Sequence, residues 1–214
     1  MTAKDEILGR VRRGVGKGGF ADRKAAALAA LASPQRGPQP MPMGDLAGRF
    51  RARAESLSST VEAVAALAEA PAAVLRYLVA QRLGGPVVLT EDVAHLDWAG
   101  AGIAAEARPA VDADQVGISG CFCAVAETGT LMLLSGPHSP ATVSLLPETH
   151  IALLPVSRIV ATLEDAFALL RAERGELPRA VNFISGPSRT GDIEQTIVLG
   201  AHGPCRVHLI LIEN

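Results

Sequence analysis

The chain has 214 residues, 49% of them hydrophobic, enough to bury a large core in one principal domain with room for an appendage. Twenty basic against 22 acidic residues leave a formal charge of -2, which gives no electrostatic basis for binding nucleic acid or an anionic membrane. Three cysteines in mostly apolar surroundings exclude a disulfide framework and predict a reducing, cytoplasmic location. The N-terminus has no apolar leader segment, and every apolar run is broken before the ~20 residues that a membrane helix needs.

Ile7, Leu8, Val11 and Val15 recur at helical spacing, so the first element is an amphipathic helix. A second helix is expected to start at Asp22 and run through KAAALAALA. SPQRGPQPMPMG then places four prolines in a short span, which fits a linker or extended arm over residues 33–44. The expected organisation is an N-terminal helical appendage with its proline-rich arm over residues 1–44, followed by an α/β domain over 45–214.

From Asp45 onward helices alternate with short apolar runs, the pattern of an α/β domain whose sheet is largely parallel, with helices on both faces. Pro71 suits the first turn of a helix, Val74, Leu75, Leu78 and Val79 form its expected stripe, and Gly84-Gly85 are expected to end it before the strand PVVL. Further strands are expected at 103–107, 123–127, 130–134, 150–156, 180–184 and 206–212. HIALLPV and RVHLILI are apolar at both parities, as strands covered on both faces should be. CAVAE and TLMLL are separated by Thr128 and Gly129 alone, too short for a crossover, so an antiparallel hairpin is expected inside the sheet, making it mixed. Thr162 and Asp165 form a capping box for a helix whose Leu163, Ala166, Phe167 and Leu170 share a face.

Several motifs carry no chemistry. Gly14, Gly16 and Gly19 match G-x-G-x-x-G, but a helix rather than a strand precedes them. Ser188 lacks the spacing of a nucleophile elbow, and neither His138 nor His202 is marked as its base. Cys121 and Cys123 would point to opposite faces of a strand, and Cys205 would face away from His202 and His208, so neither set is a ready metal site.

Three polar knots stand at strand ends. SGPSRTGDIE follows AVNFI: Gly186 admits close backbone approach beside Pro187, Ser185, Ser188 and Thr190 supply hydroxyls, and Arg189 can fork onto a carboxylate or phosphate. Asp192 and Glu194 close the stretch. ETGT places Glu127, Thr128, Gly129 and Thr130 at the hairpin turn, and GAHGP constrains the backbone around His202 and Gly203. Ligands of wound sheets collect beyond the carboxyl ends of the strands, so the three knots are expected at that rim as a shared cradle for a small anion. The competing reading is structural: a tight hairpin, a helix-capping turn and a bend.

Together, VGISGCFCAVAETGTLML, SLLPETHIALLPVSRIV, FISGPSRTGDIEQTIVLGAHGP and the closing strand resemble the LUD domain family over roughly residues 45–214. The chain departs from the family pattern at Cys121-Phe122, where an acidic residue is common, and at Ala141-Thr142, where an arginine often precedes the S-x-L-P stretch. The resemblance implies a fold akin to the NagB/RpiA/CoA-transferase group and a part in oxidising L-lactate to pyruvate beside two partner proteins, at least one carrying iron-sulfur clusters. No closely spaced cysteines hold a cluster here, so no redox cofactor is expected in this chain and the clusters are expected on a partner. The alternative is a stand-alone CoA-transferase-like or sugar-phosphate enzyme with Glu127 as base or nucleophile.

Overall fold

The computed structural model describes residues 2–14, 19–33, 37, 44–191 and 198–214. The chain divides into two units, Met1–Met41 and Pro42–Asn214. The first contains α1 (Ala3–Gly14) and α2 (Phe20–Ala32). α2 starts two residues earlier than expected: Gly19, in extended conformation, is its N-cap, and Asp22 lies in the first turn, where a carboxylate suits the positive helix end. Val15, Gly16 and most of the proline-rich arm lie outside the described residues.

The second unit runs α3 (Leu46–Ser56), β1 (Thr60–Val64), α4 (Ala70–Gln81), β2 (Val87–Leu89), β3 (Ala105–Ala107), β4 (Val116–Gly120), β5 (Cys123–Val125) and β6 (Thr130–Leu134). It continues with α5 (Thr142–Leu145), β7 (Thr149–Pro155), β8 (Ile159–Val160), α6 (Leu163–Arg174), β9 (Val181–Ile184), β10 (Arg189–Thr190), β11 (Val198–Leu199) and β12 (Arg206–Ile212). Local chemistry sets the helix starts. The Asp45 carboxylate accepts from the Gly48 N–H at 2.8 Å to cap α3, Pro71 occupies the first turn of α4, and the Thr162–Asp165 capping box opens α6. α4 stops before Gly84, at Arg82 in the left-handed conformation (φ 55°).

Six strands form one sheet in the order β1-β12-β7-β4-β2-β3, every neighbouring pair parallel. β7 and β12 stand inside it and are buried almost throughout, as their double-sided apolar pattern predicts. The β5–β6 hairpin forms, but not within this sheet: it belongs to a second, four-stranded sheet of order β8-β5-β6-β9. Only Cys121 and Phe122 separate β4 from β5, too few to carry the chain back for another parallel strand, so it turns over the sheet edge and starts a new layer.

The layers follow from side-chain parity. On one face, Val74, Tyr77 and Leu78 of α4 pack on Val87, Ile118, Ile151 and Ile210. Along one stripe α4 buries Ala70, Ala73, Val74, Tyr77 and Leu78, with Pro71 also buried in its first turn, whereas Leu75 (37%) and Val79 (68%) are exposed. The observed set keeps the i, i+3, i+4, i+7, i+8 spacing that the expected set breaks. On the other face, Ala152, Leu154, Leu209 and Leu211 meet Phe50 and Ala54 of α3 and the inner side of the small sheet, Ala124, Leu131 and Leu133. Val143 of α5 packs there against Val88. The outer side of the small sheet, Cys123, Val125 and Met132, is covered by Ala166 and Leu170 of α6. Each of these fully buried large side chains contributes about 1.5–3 kcal/mol of transfer free energy.

The connections β1–β2 and β2–β3 run over the α4 face, through α4 itself and then through Trp98 and Ile103. Those from β4 to β7 and from β7 to β12 run over the opposite face through the small sheet and its helix. The winding therefore reverses between β2 and β4, which are adjacent strands. A crevice at the carboxyl ends of such a pair is where wound sheets commonly bind ligands.

Candidate functional site

The three polar knots do come together. Gly129 (φ +67°) lies so close to α3 that a Cβ there would stand 2.7 Å from Ala54 N and 2.8 Å from Arg53 C. The next residue, Thr130, shares a hydrogen bond of 2.7 Å between its Oγ1 and Ser185 Oγ, tying the ETGT hairpin to SGPSRT. Gly186 (φ +82°) faces Leu57, whose carbonyl oxygen would be 2.4 Å from an added Cβ. Ser188 N–H donates to Pro204 O (2.8 Å) and Gly200 N–H donates to Ser188 O (2.9 Å), which fixes the GAHGP bend beside the same loop. Gly203 has Ser188 as its near neighbour.

Arg189, although exposed, is engaged by groups of the fold itself. Its Nη2 donates to the Leu57 carbonyl at 2.9 Å and to the Ser58 hydroxyl, just past the C-terminus of α3, where a cation suits the negative end of the helix. These partners are uncharged, so the contact is a helix-end cap rather than an ion pair. Ser58 is held at φ +70°, one of two described non-glycine residues with positive φ.

The rim on which the knots meet is the opposite of the one expected. Leu57 and Ser58 precede β1, Leu145 precedes β7 and Pro204 precedes β12, so the cluster stands at the amino ends of the parallel strands. SGPSRT does follow the carboxyl end of a strand, but that strand is β9 of the small sheet. β9 runs parallel to β5, which starts at the carboxyl rim directly after β4 and heads back.

Of the remaining expected residues, Glu127 is half-buried with its N–H on Ala161 O (3.1 Å), and Thr128 is half-buried with a hydroxyl that has no partner among the described residues. Pro187 is buried and Thr190 pairs with Val198 in the two-stranded β10–β11 ribbon. His202 is exposed beside a cavity of about 420 Å³ lined also by Leu145, Glu148, Leu199 and Cys205. Asp192 and Glu194 lie outside the described residues.

Two buried histidines stand near this rim, at the second residue of β7 and the third of β12. His150 Nε2 bonds Ser119 Oγ at 2.9 Å, and burial pushes its pKa down to about 4. His208 Nδ1 bonds Thr60 Oγ1 at 2.8 Å and its ring stacks on Tyr77 at 4.0 Å; burial lowers its pKa to about 4 as well. The second nitrogen of each ring has no partner among the described residues, consistent with a neutral imidazole. Cys121 and Cys123 point to opposite sides of the small sheet, as expected from their spacing. Among the described residues, no group of three or more His, Cys, Asp or Glu side chains could hold a metal ion.

A larger cavity, about 790 Å³, lies at the carboxyl rim. It opens where β4 and β7 end, with Gly120, Cys121, Phe122 and Pro155 on one side, Asp92 from the turn after β2, the loop Ser135–Ser139, and Arg158, Glu173 and Arg174. Arg158 donates through Nε to the Phe122 carbonyl (2.7 Å) and forks onto Glu173 (2.6 and 2.9 Å). That fork holds the Glu173 carboxyl below its usual range. The guanidinium carbons of Arg158 and Arg174 stand 4.8 and 6.0 Å from the Phe122 ring centroid. Sequence reading missed this cavity because its lining comes from separate stretches across residues 92–178.

Fold and rims together define a doubly wound α/β domain that carries an added antiparallel sheet on one face. A family model described as the LUD domain matches residues 48–212, and the chain belongs to that family. It is 43% identical over 102 residues to lactate utilization protein C of Halalkalibacterium halodurans, covering 46% of this chain and 44% of that protein. With lactate utilization protein C of a Geobacillus species the identity is 35% over 162 residues, 65% of this chain and 67% of that protein. The matched stretch thus spans from under half to about two thirds of these curated relatives. A crystal structure of a DUF162 family protein from Deinococcus radiodurans superposes with a TM-score of 0.59 at 25% identity, covering 80% of this chain and 99% of that one. Among the described residues, no helix is long and apolar enough to cross a membrane.

Proposed function

We propose that the protein serves lactate utilisation as a subunit of an L-lactate-oxidising complex that converts lactate to pyruvate in the cytoplasm. The observation that carries this reading is its likeness, at 35–43% identity, to proteins named lactate utilization protein C. Removing hydrogen from a 2-hydroxy acid requires an electron acceptor, and an iron-sulfur cluster takes about four thiolates. Three cysteines, two of them on opposite sides of a small sheet, do not fit such a cluster. We assign the electron carrier to iron-sulfur partner subunits.

The amino-terminal rim is the face by which this subunit meets a partner or a small anion. Docking is favoured over capture of an anion, because Arg189 caps the end of α3 and Ser185 is bonded to Thr130. Ser185, Arg189 and His202 are still exposed on that face. The test is reconstitution. The purified chain alone should show no lactate-dependent dye reduction, and adding it to its iron-sulfur partners should raise theirs; turnover by the chain alone, or partner activity indifferent to its presence, would contradict the proposal.

A further inference from the structure

The carboxyl-rim cavity lies beyond the ends of β4 and β7 and reaches Asp92 after β2, so one side of it adjoins the β2–β4 crevice where the winding reverses and where such sheets commonly bind ligands. Its volume of about 790 Å³ falls in the range of sites that enclose drug-sized molecules, roughly 300–1,000 Å³, and a three-carbon acid would fill little of it. A larger ligand than lactate fits the space.

Charge narrows the class. Among the cavity's charged side chains, Arg158 is matched by Glu173, and His138 is bonded to Glu91 from just outside the lining. Asp92, Arg174 and Glu176 have no side-chain hydrogen bond or ion pair among the described residues. Gly120 makes room for the Asp92 carboxylate: a Cβ on Gly120 would stand 2.0 Å from Asp92 Oδ2, so any side chain there would push that acceptor away from the crevice. The result is two carboxylates able to accept from hydroxyl or amino groups, one guanidinium able to fork onto an anion or stack on a planar ring, and apolar walls that include Phe122, Leu134, Pro155 and Pro178. Arg174 is the guanidinium left to meet one anionic group, and the two carboxylates, which repel further negative charge, disfavour a polyphosphate chain.

We propose that this cavity binds a nucleoside monophosphate, with the phosphate on Arg174, donor groups of the sugar or base on Asp92, and the ring against the apolar wall. The site is separate from the amino-terminal rim and does not depend on the role assigned to it above.

Isothermal titration of the intact protein with AMP, adenosine, inorganic phosphate and ATP tests it. AMP should bind saturably, with adenosine, phosphate and ATP each weaker by at least about tenfold, the scale of one charge-assisted contact. Arg174→Ala should weaken AMP by about tenfold or more while leaving adenosine unchanged, and Asp92→Asn should weaken both. Both residues are exposed, so neither change threatens the fold, and Arg171→Ala, on the same helix but outside the cavity, should bind AMP as the parent does. The proposal is overturned if AMP shows no saturable binding at millimolar concentration, if ATP or adenosine binds as tightly as AMP, or if the Arg174 and Asp92 variants bind AMP like the parent.

Discussion

The two rims of the parallel sheet are built differently. At the amino rim, backbones touch: Gly129 lies on α3, Gly186 on Leu57, and hydroxyls and a guanidinium satisfy groups of the fold itself. At the carboxyl rim there is a cavity, where an added Cβ on Gly136 would meet nothing within 4 Å and one on Gly120 would first meet the Asp92 side chain. Residue types that suggest binding chemistry, such as Ser, Thr, Arg and Gly, can therefore be consumed by packing, and space is what separates the two uses.

Glycine substitutions should break the comparison most visibly. Gly129→Ala or Gly186→Ala forces a side chain into backbone at positive φ and should cost at least about 3 kcal/mol, whereas Gly136→Ala should stay within about 0.5 kcal/mol; denaturant midpoints measure both. Next comes pH. The pKa of His150 and of His208 is about 4 in the folded chain against about 6.5 when unfolded, so the unfolded state binds more protons between those values. Stability from each is complete above pH 6.5 and lost as pH falls toward 4, by on the order of 2–3 kcal/mol per histidine. Unfolding at several pH values should show this slope, and His150→Gln should flatten it. Thr130→Val removes the bond to Ser185 and should cost about 1 kcal/mol, Ser185 being exposed and free to take water instead. Smallest are Arg189→Ala, about 0.5–1 kcal/mol for a lost helix-end contact, and Arg174→Ala at the last residue of α6 on the other rim, about 0.5 kcal/mol or less.

Much of the fold was legible because a few elements carry unambiguous periodicity. β7 and β12 announced a doubly covered sheet by being apolar at both parities, and the capping box placed the start of α6 to the residue. β1 and β4 were not legible: TVEAV is short and carries an acid, and VGISG carries two glycines that suggest a turn. Gly117 is in fact required, since a Cβ there would stand 1.9 Å from the Val143 carbonyl. That the polar knots would meet could be read from their positions at strand ends. Which rim they would share could not, because it depends on β5 and β9 running in a second sheet whose existence no local pattern encodes. Nor could the partner of Arg189, which lies 132 positions earlier.

The most direct measurement is amide chemical-shift mapping of isotope-labelled protein titrated with AMP. The account predicts saturable shifts at Gly120, Cys121, Phe122, Gly136 and Arg174, with Gly129, Ser185, Gly186 and Gly203 unmoved. Shifts confined to those last four residues would contradict it, placing the ligand at the rim assigned here to packing and docking.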